Sequence, residues 1–85
     1  MITIGQIRGA RGLLGWSQSE LARRAGLSHP TVKRVETETG PRVSDRARAK
    51  IHRALEVAGI EFIDENGGGV KLRKVRRVAT NPRQP

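Results

Sequence analysis

The chain has 85 residues, 17 Lys and Arg against 8 Asp and Glu, a formal net charge of +9 and no cysteine. That length suits one small domain, near the lower limit at which a single apolar core is stable unaided. The lack of cysteine excludes a disulfide framework and a thiolate metal site. Residues Met1 to Arg8 do not have the form of a secretory leader, and no stretch reaches the ~20 apolar residues needed to cross a bilayer, so a soluble, cytoplasmic protein without a membrane partner is expected. The charge is unevenly placed. Lys71, Arg73, Lys74, Arg76, Arg77 and Arg83 crowd the last fifteen residues with no acid among them. Such a run points to a polyanionic partner, because each cation that meets a phosphate releases condensed counterions. A solubilising tail is the other reading of the same charges.

Ile4, Ile7, Ala10, Leu13 and Leu14 recur at three- and four-residue steps and predict a first helix, with Gln6, Arg8 and Arg11 off the apolar stripe and Gly15 as its stop. Ser17-Gln18-Ser19-Glu20 has the spacing of a capping box, so a second helix should start at Gln18, bury Leu21, Ala22 and Ala25, and end at Gly26. Ser28 offers a cap for a third helix only two residues later. Pro30 falls in its first turn, where the missing amide hydrogen has no intrahelical partner to lose. Val32 and Val35 give that helix an inner side. Thr37 to Pro41 reads as a loop, and Ser44-Asp45 as the start of a fourth helix carrying Ala47, Ile51, Ala54, Leu55 and Ala58 inward until Gly59. Ile60 to Ile63 and Val70 to Arg73 alternate around Asp64 to Gly69. This fits a β-hairpin, although three consecutive glycines fit a flexible linker equally. A lone hairpin is marginal, so packing on the fourth helix or pairing with a second chain is expected.

The expected fold is therefore mainly α: a four-helix helix-turn-helix domain over residues 1–59, followed by a short C-terminal hairpin or strand. Residues 60–78 form a basic extension and candidate dimerisation element, and residues 79–85 a disordered tail.

The stretch Gln18 to Val35 closely resembles the helix-turn-helix of the Xre/Cro/CI-type repressor family. Leu21 and Ala22 match the buried positions of its first motif helix, Gly26 the turn, Val32 and Val35 the buried positions of the second, and Glu36 the acid that ends it. Helices crossing at about 90 to 120° through a short turn need a small residue at the crossing and a residue tolerant of positive φ between them. The resemblance covers about residues 4 to 58. It implies that the third helix enters the major groove of double-stranded DNA, with His29, Pro30, Lys33 and Arg34 towards the bases. Arg34 can bond both major-groove acceptors of a guanine, a contact worth about 1 to 3 kcal/mol of discrimination; a phosphate contact is its alternative. His29 fits a base, a phosphate or a solvated cap, Pro30 a thymine methyl, and Lys33 a base or a phosphate. Gln18, Ser28, Thr31, Thr37, Thr39 and Arg42 are candidates for phosphates, the first because amides at a helix N-terminus attract anions. Family arginines on the first helix imply a salt bridge from Arg8 or Arg11 to Glu36.

No chemistry of another kind competes. His29 and His52 lie on different predicted helices with no third metal ligand in a zinc spacing, and Gly67-Gly68-Gly69 lacks the setting and the Lys-Ser/Thr of a phosphate loop. No nucleophile has a base beside it, so neither an enzyme nor a cofactor is expected. The resemblance implies a bacterial or phage-type transcriptional regulator, a repressor acting as a homodimer and associated with the nucleoid when bound. The rival reading is an antitoxin-like module whose principal partner is a protein such as a toxin. A third is a non-specific nucleic-acid binder working through the tail.

Overall fold

The computed structural model describes residues 2–37, 44–64 and 68–73 of the chain. Four helices follow one another: α1 (Ile4–Leu14), α2 (Gln18–Ala25), α3 (His29–Thr37) and α4 (Asp45–Val57). A two-stranded antiparallel sheet, β1 (Ile60–Ile63) and β2 (Gly69–Leu72), closes the fold. The mainly-α reading with a C-terminal hairpin therefore holds. Thr39 and Arg42, residues 65–67 and the basic residues from Lys74 onward lie outside the described residues, as does the disordered tail expected at 79–85.

Local signals set the helix limits. Gly15 (φ 70°) and Gly26 (φ 72°) end α1 and α2 in the left-handed region that a side chain disfavours. Ser44 caps α4 by accepting from the amides of Arg46 and Ala47, and Ser28 caps α3 by accepting from that of Thr31. At α2 only half of the expected capping box forms: the Ser17 hydroxyl accepts from the Glu20 amide at 3.0 Å, but the Glu20 carboxylate turns away to Arg23 and Arg24. Two guanidiniums are a better partner for a carboxylate than one amide. The complete box stands instead at α1, where Thr3 Oγ1 accepts from the Gln6 amide and Gln6 Oε1 accepts from the Thr3 amide.

The core is continuous. Ile7, Leu21, Val32, Ile51 and Leu55 are fully buried, with Ala10, Ala22, Val35, Ala47 and Ile60 around them and Ala54 partly buried. Each such Val, Leu or Ile contributes about 1.5–3 kcal/mol by leaving water. The expected stripe of α1 needs two corrections. Leu13 is 48 % exposed, whereas Gln6, placed off the stripe, is 5 % exposed. The hairpin causes the second: β2 lies along α1, and the Gln6 amide donates to the carbonyls of Ile63 (3.3 Å) and Gly69 (3.0 Å), across both strands. Gly9 makes room for this docking, since a Cβ there would sit 3.3 Å from Val70 Cγ2. The hairpin thus packs on α1 through β2 as well as on α4 through β1, where the Phe62 ring meets His52 edge-on at 4.6 Å. The register pairs Ile60 with Leu72 and Phe62 with Val70, so these four side chains share one face.

Candidate nucleic-acid interface

The two sides of α3 have different environments. Val32 (0 %), Val35 (1 %) and Glu36 (4 %) are buried, while His29, Pro30, Lys33, Arg34 and Thr37 are exposed. Residues 30, 33, 34 and 37 are three and four apart, so they line one outward face of the helix. The structure therefore brings the four predicted base-facing residues together with Thr37 on a single strip. The Thr37 hydroxyl donates to the Lys33 carbonyl at 2.9 Å, and Ser28 and Thr31 share a 2.8 Å hydroxyl bond beside the first turn.

A polar network fixes how α3 is rotated. The Glu36 carboxylate, buried against the core, takes a two-pronged contact from Arg11 of α1: Nε to Oε2 at 2.8 Å and Nη2 to Oε1 at 3.0 Å. Arg11 also donates to the Trp16 carbonyl, so its position is set from the α1–α2 turn. This is the bridge expected for Arg8 or Arg11, and Arg8 is exposed. Gln18 Nε2 donates to the same Glu36 Oε1 at 3.0 Å, and Gln18 Oε1 lies 3.1 Å from His29 Nε2. His29 Nδ1 in turn lies 3.4 Å from Ser19 Oγ. The last full turn of α3 is thus tied to α1 and its first residue to the N-terminus of α2. A helix held at both ends spares the ordering of its backbone on binding, leaving only that of the outward side chains.

This network went unread in the sequence beyond the Arg–Glu pair. Position at the start of α2 makes Gln18 a phosphate candidate, and its side chain is the strut between α2 and α3. Of the amides in that first turn the Ser17 hydroxyl takes only that of Glu20, so those of Gln18 and Ser19 have no intrahelical partner.

The electrostatics follow from the same pairings. Helices α2 and α3 contain two acids, Glu20 and Glu36, and both are matched by arginine. Arg24, the larger influence, and then Arg23 hold the Glu20 carboxyl below the usual carboxylate range through hydrogen bonds. Arg24 also stacks 4.8 Å from the Trp16 ring centre, which locks the turn before α2. Lys33 and Arg34 have no carboxylate partner among the described residues, and within α2 and α3 they are the cations of the outward strip that no acid matches. That combination of free cations and helix N-terminal amides suits a polyanion.

A family model described as helix-turn-helix, of the Xre/Cro/CI type, matches residues 7–61. The chain belongs to that family. The match begins in α1 and ends in β1, so it takes in all four helices. Helix-turn-helix proteins of this family are DNA-binding transcriptional regulators and are generally not enzymes. No curated protein matches the chain. No helix among the described residues is long and apolar enough to cross a membrane.

Proposed function

We propose that this helix-turn-helix protein is a repressor that binds a short operator as a homodimer, each copy laying α3 in the major groove. The observation that carries this reading is the outward strip of α3, bearing Lys33 and Arg34 without a carboxylate partner among the described residues, on a helix pinned at both ends. Arg34 reads a guanine, Lys33 reads a base or grips the adjoining phosphate, and Pro30 offers an apolar contact to a thymine methyl. His29, held by Gln18 and Ser19, meets the DNA at the start of the helix. Ser28, Thr31, Thr37 and the first turn of α2 at Gln18 contact phosphates, and Thr39 and Arg42, which lie outside the described residues, remain phosphate candidates on the resemblance alone.

Residues 1–59 are the DNA-binding unit and 60–78 the extension that supports association. One such module buries little DNA surface, so useful affinity calls for two, on half-sites about one helical turn apart. Repression needs nothing beyond occupancy of the operator.

Selection of bound sequences from random duplex DNA at about 0.15 M salt, a physiological ionic strength, tests the reading. The intact chain should yield a palindromic motif, and Arg34→Ala should relax one position in each half-site. Equal, motif-free binding by both proteins would remove base readout from α3.

A further inference from the structure

We infer that the groove between α2 and α4 seats the outer face of β1 from a second copy of this chain. The inference deepens the homodimer reading above and rests on it. The groove has a cavity volume of about 390 Å³, with Ala25, Ala54 and Val57 as floor and Arg24, Lys50 and Arg53 as rim. Val57 is 77 % exposed, more than any other large hydrophobic among the described residues. Lys50 and Arg53 have no carboxylate within ion-pair distance among those residues, while Arg24 already holds Glu20.

Chemistry selects the occupant. A nucleic-acid backbone would use the cations but leave Val57 and the alanines wet. An aliphatic side chain flanked by carboxylates uses both parts, removing the floor from water and meeting the rim with charge. The described residues contain that counterpart. Glu61 and Ile63 alternate onto the same side of β1, away from Ile60 and Phe62, and Asp64 follows directly. Glu61 already meets Lys71 across the ladder at 3.5 Å, so Asp64 is the carboxylate left for the rim. Ile63 is 37 % exposed, and Asp64 has no cationic partner among the described residues. The other exposed large hydrophobics do not fit: Leu72 sits between Lys71 and Arg73, and Leu13 lies on α1, which contains no acid. Pairing the free edge of β2 with its own copy in the register centred on Leu72 would set Lys71 against Arg73, which opposes that register.

Every copy carries both surfaces, so the contact can be made twice about a two-fold axis and closes as a dimer. The groove lies at the Arg24–Ala25 end of α2, about 10 Å along the helix from Gln18 at 1.5 Å per residue. Association there leaves the outer strip of α3 uncovered for DNA.

Sedimentation equilibrium of the full chain without DNA tests the interface, with circular dichroism to establish that each variant is folded. The intact chain should dimerise, and more weakly at high salt. Arg53→Glu and Asp64→Arg should each weaken dimerisation by about tenfold or more, and the two changes in one chain should restore most of it. A monomer at all concentrations, or single variants that dimerise like the parent, would overturn the proposal. So would Arg53→Glu weakening DNA binding alone, which would assign the rim to phosphates. Arg34→Ala should leave dimerisation unchanged, so failure of base readout and failure of this interface are separately visible.

Discussion

Helix α3 and the hairpin are both held against α1, but by different means. The inner side of α3 is dry: Val32 and Val35 are at most 1 % exposed, and its single acid is matched by a two-pronged arginine. The hairpin buries Ile60 completely, but Phe62 and Val70 are only partly covered, Leu72 is 43 % exposed, and a single glutamine spans both strands. Local opening costs least where few apolar contacts must be broken. Helix α3, the proposed reading helix, is therefore seated to unfold only with the whole domain, whereas the hairpin can loosen by itself. For a readout that depends on side-chain placement within a fraction of an ångström, that is the useful order of stabilities.

The sharpest way to break the comparison is at Arg11. Arg11→Ala leaves the Glu36 carboxylate, 2 % exposed, with Gln18 as its remaining donor. Removing one partner of a buried pair costs about 3–5 kcal/mol, and the low end applies because Arg11 itself is 22 % exposed. The loss should appear in urea unfolding as a lower midpoint at unchanged slope, and in hydrogen exchange as faster exchange of α1, α2 and α3 together. Glu36→Gln, which retains an acceptor for Arg11, should cost less. A change below about 1 kcal/mol for Arg11→Ala would mean that the apolar side of α3 seats it unaided.

A smaller effect, confined to the other region, is expected at Gln6. Gln6→Ala removes the acceptor for the Thr3 amide and both donations to the strand carbonyls. Ile63 is exposed and Gly69 partly so, so water replaces much of what is lost, and the cost should be about 1–2 kcal/mol. Strand amides should exchange faster while those of α2 and α3 keep their protection. Gln6→Glu separates the two roles. It keeps the cap but points a carboxylate at two carbonyl oxygens, so the hairpin should loosen with α1 intact.

The seat of α3 could be read in the sequence because its determinants are local. Gly15 and Gly26 mark their own turns, Ser17, Ser28 and Ser44 their own caps, and Leu21, Ala22, Val32 and Val35 keep helical spacing. The outward residues of α3 follow as the complement of its inner ones. Gln6 could not be read as buried by periodicity, since what covers it arrives from 57 and 63 residues away. Its capping role was legible, for Thr3-Ile4-Gly5-Gln6 has the same spacing as Ser17 to Glu20. At Glu20 that spacing misled, because two arginines one turn on compete for the carboxylate. The strut from Glu36 through Gln18 to His29 joins side chains that no periodicity links.

The slightest effect should come from Glu20, which supports neither seat and so serves as the control. Arg24 and Arg23 lower the folded pKa of this carboxyl below its unfolded value. A group of that kind lends stability that is fully present above the unfolded pKa and disappears as pH falls through the folded one. Its contribution should therefore vanish on the acid side of the ordinary carboxylate range and stay flat from there to neutrality. The pair is exposed to solvent and open to screening by salt. Glu20→Gln should accordingly shift the urea midpoint slightly at neutral pH and not at all in strong acid, and the shift should shrink as salt is added. NMR titration of the Glu20 side chain should give a midpoint below 4.5. A midpoint at or above that value would mean that Arg23 and Arg24 are not held on the carboxylate in solution. The Arg24 guanidinium would then owe its place over Trp16 to stacking alone.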